Sequence, residues 1–169
     1  MFRVGIIGGS GFTGAELLRL CAGHPDLHVD LATGDNQAGV RVADLYPSLA
    51  AGYPELTYAP YAVDDVKGLD LVFCGLPHGA SQVIVPEVAT HVKHVVDLAA
   101  DFRLRDPKDY EQWYGEPHQA PDLLGDFAYG LPELHRDAIR SAPLVAAPGC
   151  YPTAATLALA PLVRAGLVD

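Results

Sequence analysis

The chain has 169 residues, of which 50% are hydrophobic and 19% are charged. This balance excludes a disordered polymer and a membrane protein, and the scattered glycines and prolines show no collagen-like period. Eleven basic and 21 acidic residues give a net charge of −10, which argues against a duplex nucleic-acid partner because neutralising phosphates requires a basic surface.

The cysteines and the apolar runs bear on the cellular compartment of the protein. Cys21, Cys74 and Cys150 are too far apart and too few for a disulfide framework or a zinc site. The N-terminal apolar run is short and ends in glycines, unlike a secretory signal. Residues 141–163 carry no charge, but four prolines interrupt them, so we predict a strand, a turn and a helix. We expect a cytoplasmic protein with no bound metal and no membrane contact.

Apolar strand-like runs alternate along the chain with segments of helical spacing. The predicted strands are residues 2–7, 28–32, 70–76, 94–98 and 144–147, with a weaker candidate at 56–59. The predicted helices are residues 13–21, 79–90 and 134–141, and one that begins near Pro152. Residues 100–133 are predicted to be irregular. This alternation predicts an α/β fold with a doubly wound parallel sheet, in which ligands bind beyond the carboxyl ends of the strands.

A glycine-rich segment, GGSGFTG, joins the first predicted strand to the first predicted helix. Glycine permits a tight turn there, and the N–H groups of a helix N-terminus attract a phosphate. A glycine-rich turn without a ligand is the alternative, but the position between strand and helix favours a dinucleotide. We therefore predict a Rossmann-like dinucleotide site that includes Gly8, Ser10, Gly11, Phe12, Thr13 and Gly14.

The loop after the second strand bears on the choice of dinucleotide. Asp35 is suited to the ribose 2′-hydroxyl of NAD, because a carboxylate accepts hydrogen bonds from it. Thr33, Asn36 and Gln37 are suited to the 2′-phosphate of NADP, although the nearest arginine is Arg41. The residues alone leave both cofactors open.

Cys150 is the candidate nucleophile. It follows Pro148-Gly149 at the point where a strand ends and a helix begins. A helix N-terminus favours the thiolate form of a cysteine, and a thiolate can attack an acyl carbon. A structural, half-buried cysteine is the alternative. The other two cysteines lack this setting and are predicted to be core residues.

Several polar residues follow other strand ends. His78, after Pro77, borders the expected ligand crevice, where it either contacts the cofactor or makes a structural hydrogen bond. Asp101 and Arg103 form either a local ion pair that fixes a loop or a contact to substrate. The remaining loop histidines are predicted to be solvated, and these are His118 and His135.

Five segments taken together resemble N-acetyl-γ-glutamyl-phosphate reductases, the arginine-biosynthesis members of the acyl-phosphate reductases. The segments are GGSGFTGAELLRL after the first strand, LPHG at 76–79, AADFRL at 99–104, YGLPEL at 129–134 and PGCYPTA around Cys150. The last three are much more specific than the glycine motif. Aspartate-semialdehyde dehydrogenases share the glycine loop and a catalytic cysteine, but not this set.

The resemblance implies NADPH-dependent reduction of N-acetyl-γ-glutamyl phosphate to N-acetylglutamate 5-semialdehyde and phosphate, through a thioester on Cys150. It implies NADP as cofactor, with Pro77 and His78 beside it, and a small-molecule acyl phosphate as substrate. Arg103, Gly149 and Tyr151 are assigned to the substrate side. Two alternatives remain, namely the corresponding reductase of carrier-linked aminoadipate in lysine biosynthesis and a dinucleotide-binding fragment without catalysis.

The resemblance also divides the chain. Residues 1–148 form the expected dinucleotide-binding domain, and residues 149–169 form the nucleophile turn and the first helix of an incomplete α+β substrate domain. Members of the family continue past this point, so the acid/base histidine is expected outside this chain. The complete form is expected to be a homo-oligomer, whereas the isolated chain is expected to lack activity and to fold poorly or associate.

Overall fold

In the computed structural model, which describes residues 1–168, a six-stranded sheet forms the centre of the chain. Its strands lie in the order β2-β1-β3-β4-β6-β5, and every neighbouring pair is parallel. The strands are β1 (Phe2–Ile7), β2 (Leu27–Ala32), β3 (Leu71–Cys74), β4 (His94–Asp97), β5 (Phe127–Tyr129) and β6 (Leu144–Ala146). The parallel α/β sheet predicted from the sequence is confirmed.

Within residues 1–168, six α-helices and three short 3-10 helices accompany the strands, and the last α-helix follows the final strand. The α-helices are α1 (Phe12–Ala22), α2 (Val42–Leu45), α3 (Ser81–Val88), α4 (Pro107–Tyr114), α5 (Pro132–Ser141) and α6 (Cys150–Arg164). The 3-10 helices are Pro47–Leu49, Val63–Val66 and Pro121–Asp126. None of the helices within residues 1–168 is long and apolar enough to cross a membrane.

Two hydrophobic clusters cover the two faces of the sheet. Successive side chains of a strand point to opposite faces, so Val4 and Ile6 pack with Leu18 of α1, whereas Ile7 packs with Val85 of α3. The chain runs from β2 past β1 to β3, so the strand order reverses between β1 and β3. In sheets of this kind a crevice opens outside the carboxyl ends of the strands at that reversal.

Two predictions of secondary structure are wrong. Residues 56–59 form no strand but make two isolated bridges, Thr33 to Ala59 and Arg41 to Thr57. Residues 100–133 are not wholly irregular, since they contain α4 and the edge strand β5. The start of α4 was visible in the sequence, because Asp106 caps it by accepting a hydrogen bond from the N–H of Lys108, and Pro107 occupies the first helical position.

The last helix, α6, packs weakly against the rest of the chain. It begins at Cys150, two residues before the predicted start, with Pro152 in its first turn. None of its residues is buried. Its apolar side chains are correspondingly open to solvent, with Leu159 51% and Val163 53% exposed.

Candidate active site

The glycine loop between β1 and α1 is packed so closely that two of its glycines cannot carry a side chain. Gly8 has a positive φ of +81°, and a Cβ placed on it would lie 2.5 Å from the carbonyl oxygen of Gly75. A Cβ on Gly14 would lie 2.4 Å from the Cα of Gly9. These two glycines therefore allow the loop to contact the end of β3 and the start of α1.

Gly11 differs from these two glycines. A Cβ on Gly11 would meet only the carbonyl oxygen of Gly8, at 3.6 Å, which is ordinary contact. The protein itself therefore leaves this position open, directly before the first turn of α1. Such open space above the free N–H groups of a helix N-terminus fits a pyrophosphate.

A cavity of about 660 Å³ lies beside this loop, beyond the carboxyl ends of the first three strands. Its volume lies in the usual range for a small-molecule or cofactor site. The predicted residues Gly8, Ser10, Gly11, Thr33 and Pro77 line it. Residues that the sequence analysis missed also line it, and these include Pro60, Tyr61 and Ala80. The first two lie in the stretch after β2, where no regular element was recognised.

The other residues predicted for the glycine loop take different positions. Phe12 is 90% exposed at the start of α1, Thr13 beside it is also exposed, and Gly14 is buried. Within the loop, the hydroxyl of Tyr46 donates a hydrogen bond to the carbonyl oxygen of Ser10 at 2.9 Å. The first turn of α1 therefore faces solvent beside the cavity, while the loop beneath it is fixed.

The residues after β2 divide into two groups. Thr33 is 4% exposed, and its hydroxyl accepts a hydrogen bond from the N–H of Gly8 at 3.1 Å, so it holds the glycine loop. Asp35 is exposed and lines the cavity. Asn36 and Gln37 follow outside the cavity lining, with the amide of Gln37 donating to Asn36 at 3.4 Å.

Arg41, the arginine nearest in sequence to the loop after β2, already bonds to a carboxylate. Its guanidinium donates two hydrogen bonds to the carboxylate of Asp44, from Nε at 2.9 Å and from Nη2 at 2.8 Å. The carboxylate of Asp35 is therefore the charged side chain that the β2 loop presents to the cavity.

The contacts of His78 are to Asp101 and Tyr114. Pro77 and Ala80 line the cavity, but His78 does not. Its Nδ1 lies 2.5 Å from Oδ1 of the fully buried Asp101, and its ring packs on Tyr114 with centroids 4.3 Å apart. The side-chain partner of Asp101 is thus the ring of His78, and Arg103 bonds instead to backbone carbonyl oxygens.

Arg103 braces the turn that carries the candidate nucleophile. Its Nε donates to the carbonyl oxygen of Ala147 at 2.8 Å, and its Nη2 donates to that of Leu98 at 2.8 Å. A Cβ on Gly149 would lie 3.1 Å from its Nη1. Arg103 therefore links the ends of β4 and β6 and supports the backbone just before Cys150.

Cys150 is the accessible thiol among the three. It is exposed and forms the first residue of α6, followed by Tyr151, which is 87% exposed. Cys21 and Cys74 are buried, as predicted, and burial raises the pKa of both thiols. Because the thiolate is the reactive form, chemistry at a cysteine is favoured at Cys150.

The prediction that His118 is solvated is wrong. It is only 7% exposed, its Nε2 donates to the carbonyl oxygen of Asp101 at 2.6 Å, and its Nδ1 accepts from the N–H of Ala120 at 3.1 Å. The ring also packs against Tyr110 and Phe102. The error follows from treating residues 100–133 as an irregular loop, since their aromatic side chains build a core around this histidine. His135 is exposed, as predicted.

The part of the chain that the structure describes holds no group of three or more histidine, cysteine, aspartate or glutamate residues placed to bind a metal ion.

Comparison with known proteins identifies the family. The family model for the semialdehyde dehydrogenase NAD binding domain matches residues 3–142. The chain therefore belongs to this family of NAD-binding domains. Cys150 lies beyond the matched residues.

Matches that cover the whole of this chain come from N-acetyl-gamma-glutamyl-phosphate reductases. The chain is 48% identical over 169 residues to that of Ectopseudomonas mendocina (strain ymp), and 47% identical to that of Azotobacter vinelandii. Each alignment covers 100% of this chain and 49% of the relative. The chain thus spans about half the length of the curated relatives it matches.

Solved structures show the same fold at low sequence identity. An aspartate semialdehyde dehydrogenase from Candida albicans, with NADP, has a TM-score of 0.67 at 16% identity, covering 97% of this chain and 47% of that one. One from Francisella tularensis has a TM-score of 0.68 at 15% identity, covering 98% of this chain and 42% of that one. Both superpose this chain on less than half of a longer enzyme.

Proposed function

We propose that the chain acts in the NADP-dependent reduction of N-acetyl-γ-glutamyl phosphate to N-acetylglutamate 5-semialdehyde and phosphate, a step of arginine biosynthesis. Residues 1–148 would bind the dinucleotide, and residues 149–169 would supply the nucleophile turn and the first helix of an α+β substrate domain. The observation that carries the proposal is the exposed Cys150 at the start of α6, beyond the end of β6. The names of the relatives that align with the whole of this chain support the choice of N-acetyl-γ-glutamyl phosphate as substrate.

Cys150 begins the reaction in this proposal. Its thiolate attacks the carbonyl carbon of the acyl phosphate, a C–S bond forms, and the bond to the phosphate oxygen breaks. Inorganic phosphate leaves with the electron pair, and the acyl group remains on Cys150 as a thioester. The thioester holds the acyl carbon at the same edge of the sheet as the dinucleotide cavity, which makes the next step effectively intramolecular.

The reduced nicotinamide supplies a hydride when it is bound. Once the thioester carbon has accepted a hydride, cleavage of its C–S bond would release the aldehyde and restore the Cys150 thiolate. The glycine loop contributes by fixing the dinucleotide at the N-terminus of α1. We assign the acid/base role to none of the histidines in this chain.

NADP is the cofactor that we propose. The Candida albicans enzyme with NADP supports it, although that likeness shows only a shared fold. Thr33, Asn36 and Gln37 would face the 2′-phosphate side, although Thr33 is already bonded to the glycine loop. NAD is the second candidate, because the carboxylate of Asp35 lines the cavity and would accept a hydrogen bond from a ribose 2′-hydroxyl.

The substrate side of the proposed site is formed by Arg103, Gly149 and Tyr151. Arg103 lies partly exposed against Gly149, and Tyr151 is open to solvent beside the nucleophile. We also propose that the exposed apolar face of α6 packs within the substrate domain of a homo-oligomeric enzyme. The isolated chain would then associate through this face, and a monodisperse monomer with a sharp thermal transition would contradict that expectation.

The test is phosphate-dependent reduction of NADP by N-acetylglutamate semialdehyde, measured with Cys150→Ser in the functional protein that includes the substrate domain. Cys21→Ser is the matched control, because it removes a buried thiol on α1. We expect C150S to abolish the reaction and C21S to retain it. Undiminished activity in C150S would contradict the proposal.

Two alternatives predict other outcomes. Preference for the carrier-linked aminoadipyl phosphate, in competition with the N-acetylglutamyl phosphate, would indicate the lysine-biosynthesis reductase. Dinucleotide binding without any turnover would indicate a binding module alone.

A further inference from the structure

The carboxylate of Asp101 is the most heavily bonded side chain near the cavity. It is fully buried, at 0% exposure, after the end of β4. The N–H of Gly79 donates to both of its oxygens, at 2.9 and 3.0 Å, and the N–H of Gln82 donates to Oδ2 at 3.3 Å. The side-chain amide of Gln82 donates to Oδ1 at 3.4 Å, and the Nδ1 of His78 lies 2.5 Å from the same oxygen. A buried charge is tolerated when it is satisfied in this way.

Two of these partners, His78 and Gly79, belong to the turn that forms one wall of the dinucleotide cavity. Pro77 and Ala80 line the cavity, and the N–H of Ala80 donates to the carbonyl oxygen of Pro77 at 3.2 Å. Between them, Gly79 has a φ of +86°, a conformation that few other residues adopt. Asp101, which is not among the cavity-lining residues, therefore bonds to the tightest point of this turn.

The same carboxylate also satisfies the start of α3. The first N–H groups of a helix have no partner within the helix, and a negative charge there is favourable. The N–H of Gln82, the second residue of α3, finds its partner in Asp101. The turn and the helix are thus anchored to a single residue on the neighbouring loop.

The contact with Asp101 also holds the ring of His78 in place. Its ring lies between Asp101 and Tyr114, with Tyr114 40% exposed and the His78 side chain 39% exposed. Two residues after Asp101, Arg103 donates a hydrogen bond to the carbonyl oxygen of Ala147. Its guanidinium also packs close to Gly149. Asp101 therefore connects the wall of the dinucleotide cavity with the segment that braces Cys150.

We propose that Asp101 is a positioning residue for dinucleotide binding, which with His78 holds the 77–80 turn in the conformation that the bound dinucleotide contacts. This inference rests on the proposed function and adds to it, since neither the glycine motif nor the cavity lining includes Asp101. Loss of the carboxylate would let the turn and His78 move while the sheet stays intact. Affinity for the dinucleotide would fall because part of the binding free energy would be spent on ordering the turn.

The test compares Asp101→Asn with Asp97→Asn by titrating NADP and NAD into the full chain. Asp97 is the matched control, because it is equally buried at the end of β4 but bonds to Ser81 rather than to the turn. We expect D101N to weaken binding of the preferred dinucleotide at least tenfold and D97N to change it less than twofold. Wild-type affinity in a folded D101N would overturn the proposal.

A second variant and a spectroscopic signal keep the test decisive if D101N fails to fold. His78→Ala retains the backbone bonds to Asp101, and we expect it to weaken binding at least threefold. In the wild-type chain labelled with 15N-histidine, the ring signals of His78, assigned by their loss in H78A, should shift on saturation with the dinucleotide. Unchanged affinity of H78A for the dinucleotide, or His78 ring signals that do not shift when the dinucleotide is added, would contradict the proposal.

The outcome of the wild-type titration separates this inference from the proposed function. A wild-type chain that binds neither dinucleotide would contradict the proposed function, and the inference with it. A wild-type chain that binds while D101N binds equally well would contradict the inference alone.

Discussion

The Nε of Arg103 donates a hydrogen bond to the carbonyl oxygen of Ala147 at 2.8 Å, three residues before Cys150. The Nη2 of the same guanidinium donates to Leu98, so one planar side chain spans the ends of β4 and β6. These are neighbouring parallel strands, with Asp97 opposite Ala146. The nucleophile turn is thus supported from the adjacent strand and not by local contacts alone.

Arg103→Lys should destabilise the chain by about 1 to 3 kcal/mol, because an ammonium cannot reproduce two hydrogen bonds from a planar fork. The free energy of unfolding in urea measures this. Arg105→Lys is the control, because Arg105 is exposed two residues away and should tolerate the change. Equal stability of the two variants would show that Arg103 does not brace the turn.

Gly11→Ala should separate binding from folding. A Cβ at Gly11 has open space within the protein, so its free energy of unfolding should change by less than about 1 kcal/mol. The same Cβ would occupy the place of the pyrophosphate, so dinucleotide affinity should fall at least tenfold. Calorimetric titration and urea unfolding measure the two effects.

Gly125→Ala provides the matched control for that variant. A Cβ added to Gly125 would meet no atom within 4 Å, and this residue lies away from the cavity. The variant should bind the dinucleotide as the wild-type chain does. If G11A also binds normally, the pyrophosphate does not lie over the glycine loop.

The buried carboxyl of Asp97 should make the free energy of unfolding depend on pH. Burial raises the pKa of this carboxyl from 3.8 to about 6, against the hydrogen bond from Ser81, which lowers it. The native state therefore holds the proton more tightly than the unfolded state. The resulting stabilisation is fully present below about pH 4 and is lost as pH rises through about 6, with a total of roughly 2 to 3 kcal/mol.

Asp97→Asn should remove this dependence, since an amide does not titrate. Urea unfolding at pH 4.5 and at pH 7.5 provides the measurement. The exposed Asp65→Asn should keep the pH dependence of the wild-type chain. If D97N and the wild-type chain lose stability equally over that interval, Asp97 is not the group responsible.

Thiol alkylation should distinguish the three cysteines. In the native chain, iodoacetamide should modify Cys150 and leave Cys21 and Cys74 unmodified, because these two are 4% and 0% exposed. Peptide mapping by mass spectrometry identifies the modified residue, and unfolding in guanidinium should make all three react. Rapid modification of Cys74 in the native chain would contradict the buried position of β3.

The selectivity for dinucleotides should depend on Asp35. Asp35→Ser removes a carboxylate that lines the cavity and would repel a 2′-phosphate. The ratio of NADP affinity to NAD affinity should therefore rise about tenfold, which corresponds to about 1.4 kcal/mol. Asp26→Ser, on an exposed turn, is the control and should leave the ratio of NADP affinity to NAD affinity unchanged. Asp44→Ser is unsuitable as a control because it would release Arg41 from its bond to Asp44.

Local signals made much of the fold and the candidate site predictable. The glycine loop and the start of α6 each lie within a short segment, where strand, turn and helix preferences act on neighbouring residues. The buried positions of Cys21 and Cys74 followed from the apolar pattern of α1 and β3. The parallel arrangement of the strands also follows from the βαβ alternation and its handedness.

Contacts between distant residues could not be predicted in the same way. Asp101 bonds to His78 and Gly79, which are more than 20 residues earlier in the chain, and no periodic pattern indicates such a pairing. His118 is buried by aromatic neighbours in a segment whose composition indicated a loop. The edge strand β5 has only three residues, too few to show an alternation.

The most direct test of the central claim is a single-turnover reaction between the functional protein, including the substrate domain, and N-acetyl-γ-glutamyl phosphate without a dinucleotide, followed by intact mass and peptide mapping. The account predicts release of one phosphate per chain and a matching acyl adduct on Cys150, absent in Cys150→Ser. Addition of NADPH should then discharge the adduct as the semialdehyde. An adduct on another residue, or phosphate release that persists in C150S, would contradict the account.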